Sequence, residues 1–123
     1  MANPNLVNVT SILAEVAYAA PANTTANVLL TNAASSNMVM KINSLTATNV
    51  TSLTASVTVS VNSVADGSGT NYRLAYQIIV PANASLQIID KGNFVYLSEN
   101  KSLTVTSGTS AALEYVTSYE KIS

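Results

Sequence analysis

Residues 53–62 alternate strictly between two kinds of side chain. Leu53, Ala55, Val57, Val59 and Val61 fall on one face, and Thr54, Ser56, Thr58, Ser60 and Asn62 on the other. A period of two is that of a β-strand, whose successive side chains point to opposite faces, and it does not match the 3.6-residue repeat of a helix. The β-branched Val and Thr residues fit a pleated surface better than a helical one. The segment is therefore expected to form a strand with one apolar face that needs a second layer to cover it.

The same period continues on either side of glycine-bearing turns. Asp66-Gly67-Ser68-Gly69 reads as a hairpin turn, after which Tyr72, Leu74, Tyr76, Ile78 and Val80 return at period two. Pro81-Ala82-Asn83 ends that strand, and Leu86, Ile88 and Ile89 begin the next. Asp90-Lys91-Gly92-Asn93 predicts another turn, with its glycine in the left-handed region. Phe94–Leu97 is short and wholly apolar, which predicts a central strand covered on both sides. Leu103 and Val105 alternate with Thr104 and Thr106, and Leu113, Tyr115, Thr117 and Tyr119 share the face opposite Glu114, Val116 and Ser118. Towards the N-terminus, Ala26–Thr31 and Met38–Ala47 read as strands, while residues 11–19 suit either a strand or a short amphipathic helix. About eight strands with turns roughly every ten residues predict an all-β chain. The expected form is an antiparallel β-sandwich or jelly-roll-like single domain over residues 1–123, with a closed barrel as the alternative.

Composition narrows the chemistry. There is no Cys and no His, which removes disulfides, thiolate metal sites, the commonest general base and the commonest zinc ligand. One Arg, four Lys and a net charge of -1 cannot neutralise a phosphate backbone, so no nucleic-acid partner is expected. Apolar runs stay far below the roughly 20 residues of a membrane span, so no membrane partner is expected either. Residues 12–20 end in small residues like a signal cleavage site, but Glu15 interrupts the apolar stretch and the first Lys is Lys41, so no secretion signal is read.

The six carboxylates, Glu15, Asp66, Asp90, Glu99, Glu114 and Glu120, are scattered, and several sit in turns, which suits solvated surface acids better than a paired catalytic site. The Asp66–Asn71 segment has one carboxylate where a calcium loop wants several, so a hairpin turn is the better reading. Without His, a nucleophilic Ser would need a Lys partner, and no Ser-x-x-Lys spacing occurs. Tyr72, Tyr76, Tyr115 and Tyr119 could form a recognition face, although half-buried core edge is the commoner role for such residues. No enzyme activity, cofactor or metal is expected.

Charged residues make up only 9% of the chain, against about 25% in ordinary domains. Lys, Glu and Asp are the residues depleted at protein–protein interfaces. The surface is therefore expected to be buried in part within an assembly. Residues 1–10 carry Leu6, Val7 and Val9 and no charge. They read either as an extended arm that adds a strand to a neighbour, with Leu6, Val7 and Val9 as contacts, or as the first strand of the same sheet.

Several segments carry a resemblance. They are Met-Ala-Asn-Pro-Asn-Leu-Val-Asn-Val (1–9), Asn-Ala-Ala-Ser-Ser-Asn (32–37) with Lys-Ile-Asn-Ser-Leu (41–45), and Val-Pro-Ala-Asn-Ala-Ser-Leu (80–86) with Asp-Lys (90–91). Tyr-Leu-Ser-Glu-Asn-Lys-Ser-Leu (96–103) and Ser-Tyr-Glu-Lys-Ile-Ser (118–123) complete the set. Together they resemble small virion structural proteins of tailed phages, especially those of marine cyanobacteria. The resemblance implies a capsid decoration or cement protein, made in the host cytoplasm and bound as a homotrimer to the major capsid protein on the exterior of the mature head. The alternative it leaves is a tail, neck or fibre component.

Overall fold

The computed structural model describes residues 6–123. Nine strands follow one another: β1 (Ile12–Ala19), β2 (Asn27–Asn32), β3 (Val39–Asn49), β4 (Ala55–Asn62), β5 (Asn71–Val80), β6 (Ser85–Ile89), β7 (Val95–Leu97), β8 (Lys101–Ser107) and β9 (Leu113–Ile122). They form two antiparallel sheets, one in the order β1-β9-β3-β6 with β7 also paired to β3, the other in the order β2-β8-β4-β5. The described chain is an all-β sandwich. Residues 11–19, open between strand and helix from the sequence, form β1, which pairs with β9 from Ile12↔Ile122 to Ala19↔Tyr115.

The core lies where the period-two faces meet. Val57, Val59, Leu103 and Val105 from one sheet, with Ile42 and Leu45 from the other, are fully buried. At roughly 1.5–3 kcal/mol for each buried aliphatic side chain, these contacts dominate the stability of the sandwich. Tyr115 on β9 is buried across its whole length, and its hydroxyl lies 2.8 Å from Ser107 Oγ on β8. That bond crosses from one sheet to the other and satisfies two hydroxyls that would otherwise be costly to bury.

Polar residues are also drawn inside. Asn32, Asn49 and Asn62 are the last residues of β2, β3 and β4, and all three are buried. Each amide holds down the loop that follows its strand. Asn32 Nδ2 donates to the Met38 and Leu97 carbonyls, and its Oδ1 accepts from the Ser36 hydroxyl. Asn49 Nδ2 donates to the Leu53 and Val80 carbonyls, and its Oδ1 accepts from the Thr51 amide and hydroxyl. Asn62 Oδ1 accepts from the amides of Val64 and Gly69, while Nδ2 reaches the carbonyls of Gly67 and Gly69 and Asn71 Oδ1. An asparagine suits this place because one planar group offers both donors and acceptors to backbone that has just left its ladder.

Two expectations change. Phe94–Leu97 is not a central strand: β7 spans three residues, pairs only with β3, and leaves Phe94 and Tyr96 exposed. Gly92 is not left-handed. The Asp90–Asn93 turn is closed by Asp90 Oδ1, which accepts from the Gly92 and Asn93 amides, and the glycine with positive φ is Gly67, at 82°.

Candidate interaction surface

The four tyrosines considered as one face are split between the two sheets. Tyr115 and Tyr119 on β9 are buried, whereas Tyr72 and Tyr76 on β5 are exposed. Burial pushes the pKa of both β9 phenols above the ordinary tyrosine value. Arg73 lies over the Tyr76 ring at 4.8 Å, a contact that covers part of the exposed aromatic surface.

The carboxylates remain apart. Glu15 pairs with Lys121, and that contact raises the lysine's ionisation. Asp66 caps its own turn by accepting from the Ser68 amide at 2.9 Å, and this hydrogen bonding holds its carboxyl below the usual range. Glu120 accepts from Asn43 Nδ2. No group of three or more acids is brought together among the described residues. An open depression of about 540 Å³ lies beside the β4–β5 loop, lined mainly by small apolar groups such as Val28, Ala33, Ala34 and Val64. Among the described residues no helix is long and apolar enough to cross a membrane.

The surface is instead marked by apolar strand edges. On β1, Ile12, Leu13, Val16 and Tyr18 are exposed, Tyr18 by 77%. On β5, Tyr72, Leu74, Tyr76, Ile78 and Ile79 are exposed. Phe94 and Tyr96 pack edge to face at 5.3 Å, with the Lys41 ammonium 4.5 Å from the Phe94 ring. Of the proposed arm, residues 6–8 turn rather than extend, Leu6 and Val7 are exposed, and Val9 is half-buried. Residues 1–5 of that arm lie outside the described residues. The chain joins the sandwich at Thr10 and Ser11, whose amides both donate to the Ser123 carbonyl.

The two apolar edges differ in construction. β5 shifts register against β4 between Val57 and Val59 and again between Val59 and Ser60. At Gln77 the backbone takes a positive φ of 50°, and its amide donates to the Thr58 side-chain hydroxyl on β4. β2 and β6 also contain register shifts against their partners. β1 has none: it keeps one register with β9 along its whole length. Sequence reasoning missed β1 as an edge, although its signal was visible. Apolar residues occupy both parities between Ile12 and Tyr18, which is more than one buried face requires.

No family model matches the chain, and no curated protein matches it. Among solved structures, the chain is similar to an endospore appendage protein of Bacillus, from a family of disulfide-linked pili. The TM-score is 0.52 at 15% sequence identity, with 99% of this chain and 95% of that one covered. The likeness shows a shared fold over nearly the full length of both chains. These 123 residues contain no cysteine, so they cannot make the disulfide links of that family.

Proposed function

We propose that the chain is a structural subunit, that its assembly is a tailed-phage virion, and that it coats the exterior of the head by binding the major capsid protein. The carrying observation is the pair of apolar strand edges, β1 and β5, left exposed on a chain with only 9% charged residues. Exposed apolar surface in a neutral protein favours burial against other subunits. The resemblance of the 1–9, 32–37, 41–45, 80–86, 90–91, 96–103 and 118–123 segments to small virion proteins supports the kind of assembly.

The mechanism needs no catalytic step. A protein that binds the intact lattice and not its broken form stabilises it by its binding free energy, and many copies act together. A second reading is a repeating subunit of a filament or fibre, favoured by the fold shared with the Bacillus appendage protein. Quantitative mass spectrometry of purified particles separates the two. A copy number proportional to the major capsid protein is expected. A few copies per particle would move the chain to the tail, neck or fibre, and absence from clean particles would overturn the virion reading.

A further inference from the structure

Among the described residues, one side of β1 pairs with β9 and the other with no strand. We infer that two copies of this chain associate through β1 laid antiparallel against β1, with a two-fold axis through Val16. The inference deepens the structural-subunit reading and rests on it only for biological setting.

Edge strands present unpaired backbone groups, and proteins ordinarily blunt them with bulges, charges, proline or shortness. Here β2, β5 and β6 carry register shifts, and β7 is only three residues long. β1 has no bulge and no proline, and it is not short. Its eight residues keep an unbroken register with β9, and they are exposed apart from the half-buried Ala17 and Ala19. Its one charge, Glu15, is turned to Lys121 on its own sheet. An unbroken, largely apolar edge is matched best by another of the same kind, and among the described strands that edge is β1 itself.

The pattern of side chains also chooses the register. Two antiparallel strands in one continuous sheet place residues of the same face opposite each other. Centring the pair on Glu15 would set two carboxylates side by side, which is unfavourable. Centring it on Ala14 would leave residues 17–19 of both copies unpaired. With Val16 of one copy facing Val16 of the other, residues 13–19 of both are paired. Tyr18 then faces Ala14, Leu13 faces Ala19, and Glu15 faces Ala17, so each of these three larger side chains meets an alanine. The same patch serves both copies, as closed two-fold association requires.

Because the chain has no cysteine, a single introduced thiol reports the geometry without interference. Directly opposed residues of an antiparallel pair have Cα atoms about 4.5–5.5 Å apart, inside the disulfide range of about 4.4–6.8 Å. Under mild oxidation, purified Val16→Cys is expected to cross-link to a covalent dimer, well ahead of Ala14→Cys and of Ile79→Cys on β5. Sedimentation of the unaltered chain is expected to show a monomer–dimer equilibrium. Val16→Lys, which sets two ammonium groups against each other at an exposed position, should weaken that equilibrium by more than about a hundredfold while leaving the far-ultraviolet spectrum and melting curve of the monomer unchanged.

A chain that stays monomeric at high concentration overturns the inference. So does a mass of three copies, the threefold association implied by the sequence resemblance. A dimer indifferent to Val16→Lys but abolished by deleting residues 1–9 overturns it in favour of the N-terminal segment. These measurements use the isolated chain, so a negative result leaves the copy-number test of the structural role intact.

Discussion

The β4–β5 loop and strand β1 invert the usual relation between polarity and burial. The loop, residues 63–70, is made largely of Ser, Gly, Thr and Asp, yet it is tied down onto the buried Asn62 amide and covers polar groups of its own sheet. The Ser102 hydroxyl donates to the Val64 carbonyl beneath it. β1 is largely Ile, Leu, Val, Ala and Tyr, yet it is mostly exposed. The difference shows that in this chain hydrogen-bond satisfaction decides what the loops do, while sheet order decides which apolar residues reach the core.

The largest effect should come from removing the anchor of the polar region. Asn62→Ala leaves backbone donors and acceptors of residues 64–69 without their partner, and a loss of about 3 kcal/mol is expected, read from urea unfolding midpoints. A loss below about 1 kcal/mol would mean that the loop is held by something other than the amide, and the comparison would fail. Gly67→Ala should cost less, about 1–2 kcal/mol. Its φ of 82° disfavours a side chain, and an added Cβ would approach Val28 Cγ2 at 2.7 Å. An unchanged midpoint would show that the loop can shift without penalty.

A third effect depends on pH. Tyr115, Tyr119 and Lys121 have folded-state pKa values raised above their ordinary ones, the tyrosines chiefly by burial and the lysine chiefly by its bond to Glu15. A raised value means that the folded state holds the proton more tightly than the unfolded one. The associated stability is complete below the unfolded values, near about pH 10 for these groups, and is lost as pH rises through the folded ones. The unfolding midpoint should be flat near neutrality and fall on the alkaline side. Tyr115→Phe should lower stability by about 1 kcal/mol at pH 7 through the lost Ser107 bond and make the alkaline fall shallower. An equal fall in both proteins would assign it elsewhere.

The smallest effect should be on β1. Leu13→Ser removes a large aliphatic side chain, but one that is already 59% exposed. Measured on the monomer, a change within about 0.5 kcal/mol is expected. A loss of the size seen for buried leucines would show that β1 packs more tightly than its exposure indicates.

The sequence made some of this legible and hid the rest for physical reasons. Alternation in 53–62 marked β4 and the inward valines, because a one-sided strand has to repeat every two residues. The same pattern assigned Ser60 and Asn62 to a solvent face, whereas both are buried. Nothing local announces that a loop will fold back over that face, since all but one of the partners of Asn62 are backbone groups with no side-chain signature. Phe94–Leu97 was misplaced for a related reason. A fully apolar run fits a central strand, but here Phe94 and Tyr96 shelter one another and Lys41 at the surface. The tyrosines of β9 and β5 share a spacing but not a fate, because strand order, invisible to periodicity, puts β9 inside its sheet and β5 at an edge.

The pairing of β1 with β9 has a consequence in time. Ile12 lies opposite Ile122, so the first strand waits for the last before it has any neighbour in its sheet. During synthesis every other strand emerges while β1 remains a loose apolar ribbon, and closing so long a loop late makes folding slow. The interval leaves β1 open to capture by chaperones or by other nascent chains. In the finished molecule the same arrangement holds Ser11 and Ser123 together by backbone hydrogen bonds in both directions, so residues far apart in the chain close the sheet as neighbours.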